Sequence, residues 1–155
     1  MIITKNNTIM KKLLLLLVMM MPMVASADTW NGVSSDKSWY DANATEIYIT
    51  NAAQLKGLAD LVTNDNITFE GKTIYLQNDI DLANYQWEPI GYGLANDRPF
   101  KGVFDGQNHA VINLYIDNSQ LNKLPSEYVG FFGQLNSGEI RNLGLKGVVD
   151  VKKNV

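Results

Sequence analysis

Val111-Ile112-Asn113-Leu114-Tyr115-Ile116 and, 29 residues further on, Ile140-Arg141-Asn142-Leu143-Gly144-Leu145 share the pattern Asn-Leu-x-apolar, and this imperfect repeat decides the reading of the fold. A glycine-phenylalanine element precedes each copy, Gly102-Val103-Phe104 in the first and Gly130-Phe131-Phe132-Gly133 in the second. A third stretch, Thr73 to Leu82, follows the plan more loosely, with Ile74, Leu76, Ile80 and Leu82 alternating with polar residues. Alternation of period two puts one strand face inside and the other in water. A short unit of this kind cannot bury its own apolar face, so the units are expected to stack as a β-solenoid. Stacked strands lie about 4.8 Å apart, and Val111, Leu114 and Ile116 are expected to sit over Ile140, Leu143 and Leu145. The corners need special backbone angles, for which Gly102, Gly106, Gly130, Gly133, Gly138, Gly144, Gly147 and the asparagines are the candidates. Asn113 and Asn142, at matching places, read equally as an inward ladder or as matching turns.

Upstream of the repeats the period changes once. Asn51, with Gln54 three residues on, forms a capping-box signal, and Leu55, Leu58, Ala59 and Val62 recur at helical spacing until Asn64-Asp65-Asn66. A helix over about residues 51–64 is therefore expected to cap the first coil. Residues 28–45 hold Trp30, Trp39 and Tyr40 among Gly, Ser and Asp, an irregular lead-in, and residues 46–155 form the rest of one domain. The first 27 residues differ from all of this. Lys5, Lys11 and Lys12 stand without an acid, an apolar run from Leu13 to Met21 follows, and Ala25-Ser26-Ala27 offers small residues to a signal peptidase. The run is shorter than the about 20 residues that span a bilayer, so cleavage before Asp28 and no membrane attachment afterwards are expected. The destination is extracellular, cell-surface or periplasmic. The chain has no cysteine, so packing and not disulfides must hold it. Losing three lysines and no acid takes the net charge from −3 to −6, which argues against nucleic acid as a partner.

The stretch from Gly130 to Gly147, with Gly130-Phe131-Phe132-Gly133 leading into Ile140-Arg141-Asn142-Leu143-Gly144-Leu145, resembles the GLUG motif of bacterial secreted and surface proteins. Asp79-Ile80-Asp81-Leu82, Trp87-Glu88-Pro89-Ile90-Gly91 and Phe100 to His109 resemble the segment that leads into that family's first repeats. Asn51-Ala52-Ala53-Gln54-Leu55 resembles its leading helix. The resemblance covers roughly residues 46 to 149. It implies an all-β fold, a short right-handed parallel β-helix with an N-terminal capping α-helix, in adhesin-like proteins or proteins associated with surface peptidases. It attaches no catalytic residue to the motif. Relatives continue through more repeats, so 46–155 is expected to be the cap and first coils of a longer array.

Chemistry has few candidates. With no cysteine and His109 as the only histidine, thiol catalysis and multi-histidine metal sites are excluded. His109 sits in Asp105-Gly106-Gln107-Asn108-His109, which reads as a turn. Asp79 and Asp81 share one strand face, and with Asp105 on a neighbouring coil they form a candidate Ca²⁺ site; the plainer reading is a solvated face, and no cofactor is expected. Trp39, Tyr40, Tyr85, Trp87 and Tyr92 are the candidate ligand-binding aromatics, with flat faces suited to sugar rings, although large aromatics also seal the open end of a stack. The expected function is that of a secreted or cell-surface structural or adhesive module, not an enzyme, contacting a surface glycan or protein ligand. The alternative is the N-terminal part of a β-helix enzyme acting on polysaccharide. Self-association through the strand edge at residues 140–151 is expected unless further coils follow.

Overall fold

The computed structural model describes residues 29–92, 98–119 and 128–151. The expected leader at 1–27 and the cleavage point before Asp28 lie outside the described residues. Among these residues seven strands and one helix occur in the order β1 (Glu46–Ile49), α1 (Ala52–Thr63), β2 (Thr73–Leu76), β3 (Ile80–Asp81), β4 (Val103–Asp105), β5 (Ala110–Asp117), β6 (Glu139–Arg141) and β7 (Gly144–Asp150). They form two small sheets in which every pairing is parallel. The first has the order β1-β2-β4-β6, the second β3-β5-β7.

The all-β, right-handed parallel β-helix expected from the repeats is corrected by this arrangement. Two separate open sheets are present, no closed or solenoid sheet occurs among the described residues, and α1 places Ala52, Leu55, Gly57, Leu58, Ala59, Leu61 and Val62 in the same buried core as the strands. The physical cause of the misreading is visible at Asn142. Its φ of 51° is left-handed, and it breaks the run from Ile140 to Leu145 into β6 and β7, which belong to different sheets. Ile140 therefore lies beside Phe104, while Val111 pairs with Leu145, Leu114 with Gly147 and Ile116 with Val149.

A bulge sets which residues of β5 face inward. Between Val111 and Leu114 the strand carries one residue more than β7 does, and Asn113 there has φ 53°. The extra residue reverses the alternation, so Val111, Leu114 and Ile116 are all buried despite their uneven spacing. Asn113 is thus a left-handed bulge residue inside β5 and Asn142 a left-handed corner between β6 and β7, and the register does not pair them. The amide of Asn84 donates to Asn113 O (3.0 Å) and that of Asn108 to Asn142 O (2.9 Å).

Helix α1 is bounded by local chemistry. The Asn51 side chain accepts from the Gln54 amide (3.0 Å), and Gln54 Oε1 accepts from the Thr50 amide (2.9 Å), which satisfies donors that a helix start leaves unpaired. At the other end Arg98 Nη1 donates to Thr63 O (2.7 Å) and Asn64 O (2.8 Å), placing a cation at the negative end of the helix dipole. The lead-in docks on the helix through the Asp36 amide and Ala53 O (2.9 Å).

Aromatic rings run through the core as a connected chain. Tyr40 and Trp39 meet Phe69, Phe69 meets Phe100, Phe100 meets Phe132, and Phe131 stacks on Trp87 at 5.4 Å. Trp87 in turn meets Trp30, which meets Tyr85. Phe104 is fully buried and touches Phe132 edge to face, 5.4 Å between centroids at 77°. Such contacts add about 0.5–1.5 kcal/mol each beyond area burial, which suits a cysteine-free chain with short strands.

Candidate functional site

Parallel register lines up side chains of like parity across a sheet. On the outer face of the first sheet it aligns Tyr48 with Tyr75, Tyr75 with Asp105 and Asp105 with Arg141. The inner partners of this row, Ile47, Ile49, Ile74, Leu76 and Phe104, are buried, so the row lies on the outer face, where Tyr48 and Arg141 are exposed and Asp105 is buried among its hydrogen-bond partners. The two tyrosine rings stack at 5.4 Å with 20° between planes, and Tyr48 is half exposed. Glu46 holds the far end. Its carboxylate accepts from the Tyr48 hydroxyl (3.2 Å), and its negative charge raises the Tyr48 pKa above the ordinary phenol value.

Asp105 and Arg141 close the row. Asp105 accepts from the Gln107 amide (2.9 Å), Arg141 Nε (2.9 Å) and Asn142 Nδ2 (3.1 Å). The Gln107 and Asn142 bonds hold its pKa below the usual carboxylate value against the opposing effect of desolvation, with Arg141 adding to them. Arg141 also donates from Nη1 to Glu139 (3.4 Å), and its guanidinium remains largely in water. A guanidinium carries five N–H donors, so Arg141 keeps donors for a ligand. The row therefore offers flat apolar area in line with a cation, which the buried Asp105 carboxylate holds in place.

The residues expected to form a Ca²⁺ site are distributed otherwise. Asp79 Oδ1 accepts from the Ala110 amide (2.9 Å) and lies 3.3 Å from His109 Nδ1. Asp81 accepts from the Ala83 amide (2.7 Å) and Asn113 Nδ2 (2.8 Å). Asp81 belongs to the second sheet and Asp105 to the first, so the trio does not converge. Each carboxylate instead ties a corner to the chain about thirty residues further on. Among the described residues no group of three His, Cys, Asp or Glu is placed to hold a metal ion.

The candidate aromatics divide between the two ends of the ring chain. Trp39 and Tyr40 lean on Phe69 in one group, while Tyr85 and Trp87 surround Trp30 in another. Trp87 is fully buried, with its Nε1 donating to Phe131 O (3.1 Å), and Tyr85 keeps an exposed face. Tyr92 is half-buried, and its pKa is raised by burial and by Glu88. Near it Lys56 bonds Asp60 (2.5 Å) and Glu88 (3.1 Å); desolvation works against the lysine's charge, but these two partners outweigh it and its pKa rises. Tyr48 and Tyr75 were not among the sequence candidates. The signal that could have found them is their identical place in the two similar strands Ile47-Tyr48-Ile49 and Ile74-Tyr75-Leu76.

A stretch of 104 residues is 33% identical to Halomucin of Haloquadratum walsbyi. It covers 60% of this chain and 1% of Halomucin, so the chain spans a very small part of that relative. No protein-family model matches the chain, and no solved structure matches it. The similarity to Halomucin points to a secreted or surface-located chain. No helix among the described residues is long and apolar enough to cross a membrane.

Proposed function

We propose that this chain is an exported surface module, structural or adhesive, that binds saccharide along the row Tyr48, Tyr75 and Arg141, with Asp105 holding the Arg141 guanidinium in place. The observation that carries the reading is the parallel register, which sets two stacked tyrosines in line with the guanidinium of Arg141, anchored by the buried Asp105, on one face. Aromatic faces pack against the C–H face of a sugar ring, and the guanidinium supplies donors for its hydroxyls. Four strands at about 4.8 Å spacing give a row of roughly 14 Å, a length that fits an oligosaccharide better than a single ring. The charged leader and the similarity to Halomucin support delivery outside the cytoplasm. The GLUG-like segment from Gly130 to Gly147 supports the same adhesive class.

The test is retention of the chain, from Asp28 onward, on immobilised polysaccharides, with reducing ends assayed in the same samples. Retention without new reducing ends is the expected result. Release of reducing ends or unsaturated products would turn the reading toward an enzyme, and failure to be retained on any polysaccharide would remove the saccharide role.

A further inference from the structure

Among the described residues the apolar columns of the core reach their last members at β6 and β7. Ile47, Ile74 and Phe104 are buried in register, yet the next member, Ile140, is 38% exposed. Ile80 and Val111 are buried, yet Leu145 is 52% exposed, and Val149, beside the buried Ile116, is 47% exposed. Both strands are sheet edges among the described residues. An edge strand presents unpaired backbone donors and acceptors that recruit another strand.

We propose that this edge is covered by a second copy of the chain, joined by antiparallel pairing of β7 with β7 about Val148. The sequence Leu145-Lys146-Gly147-Val148-Val149-Asp150-Val151 is self-complementary in that register. Residues opposite each other in an antiparallel pair share a face. On the inner face Leu145 meets Val151 of the second copy and Gly147 meets Val149, which extends the apolar columns across the junction. On the outer face Lys146 meets Asp150, and Val148 meets Val148. A carboxylate accepts several hydrogen bonds, so Asp150 takes this contact in addition to those within its own chain. β6 has the same property about Ile140, where antiparallel pairing sets Glu139 against Arg141. A two-fold interface requires self-complementarity of this kind.

The test is sedimentation of the chain from Asp28 onward between about 1 and 100 µM, with hydrogen exchange at both limits. A dimer is expected, with β7 amides exchanging more slowly at the higher concentration. Lys146→Glu and Asp150→Lys each alter two symmetry-related contacts, so each alone is expected to weaken dimerisation about tenfold. The double exchange is expected to restore it. Four strand steps separate the two positions by about 13 Å within one copy, too far for repair inside a single chain. A monomer at 100 µM with β7 exchange independent of concentration overturns the proposal. A dimer in which the double exchange rescues nothing overturns it as well. Far-ultraviolet circular dichroism of each variant checks that it folds, and the exchange measurement on the unaltered chain needs no variant at all.

Discussion

Replacing Gly57 with alanine sets two physical effects of opposite sign against each other. Gly57 lies inside α1, where alanine is favoured over glycine by about 0.8–1.0 kcal/mol on propensity alone. The structure removes that gain. A Cβ at this position would lie 2.0 Å from the Asp36 carbonyl oxygen and 2.7 Å from its carbon, both backbone atoms that cannot rotate away. The lead-in must therefore lift from the helix. That breaks the Asp36 amide bond to Ala53 O, worth about 1 kcal/mol, and adds packing strain of about 1–3 kcal/mol. Exposed contacts such as Lys37 with Asp65 add little. The net expectation is a loss of about 1–3 kcal/mol, read as a lower urea midpoint at an unchanged slope, with faster exchange of the Asp36 amide. An alanine variant as stable as the parent, or more stable, would show that the lead-in does not pack on α1 as described.

Phe104→Ala removes a fully buried ring that touches Phe131 and Phe132, and a loss of about 3–5 kcal/mol in chemical unfolding is expected; a loss below about 1 kcal/mol contradicts its place in the core. Asp105→Asn tests the lowered carboxyl pKa. Because the folded value lies below the ordinary 3.8, the stabilisation it brings is complete above that value and is lost as the pH falls through the folded pKa. Urea midpoints measured from pH 7 down to pH 3 should therefore fall less steeply in acid for Asp105→Asn than for the parent, and superimposable acid limbs contradict the assignment.

What could be read in the sequence and what could not follow from the range of the interactions concerned. The helix rests on neighbours in the chain, Asn51 and Gln54 at its start and an apolar stripe along it, and these are legible in one window. The corners rest on contacts with residues about thirty positions away. Glycine and asparagine were expected to supply their backbone angles; Asn84, Asn108 and Asn142 do so with Ala83 and Gln107, and Asn113 does so at the bulge of β5, while none of the seven glycines named is left-handed. The glycines at 106 and 147 serve another purpose, close approach. A Cβ at Gly147 would lie 2.0 Å from Leu114 O, and one at Gly106 would lie 2.5 Å from Asn142 O. Sequence shows a glycine but not which of its two properties is used. The repeat misled for a related reason, since the Asn-Leu similarity aligned Ile140 with Val111 although the break at Asn142 assigns them to different sheets. Of the candidate site, Asp105 was named for metal and is placed instead by hydrogen bonds to Gln107, Arg141 and Asn142, while the tyrosine pair depends on strand register that only the fold reveals.

The most direct test of saccharide recognition is a titration of the chain, and of its Tyr48→Ala/Tyr75→Ala variant, against the polysaccharide that retains it best. Both tyrosines lie on the outer face, so the variant should remain folded, with a melting temperature within a few degrees of the parent. Saturable binding by the parent and a loss of at least about tenfold in the variant, equivalent to about 1.4 kcal/mol, is the predicted result. Equal affinity for a folded variant would contradict the assignment of the row as the binding face.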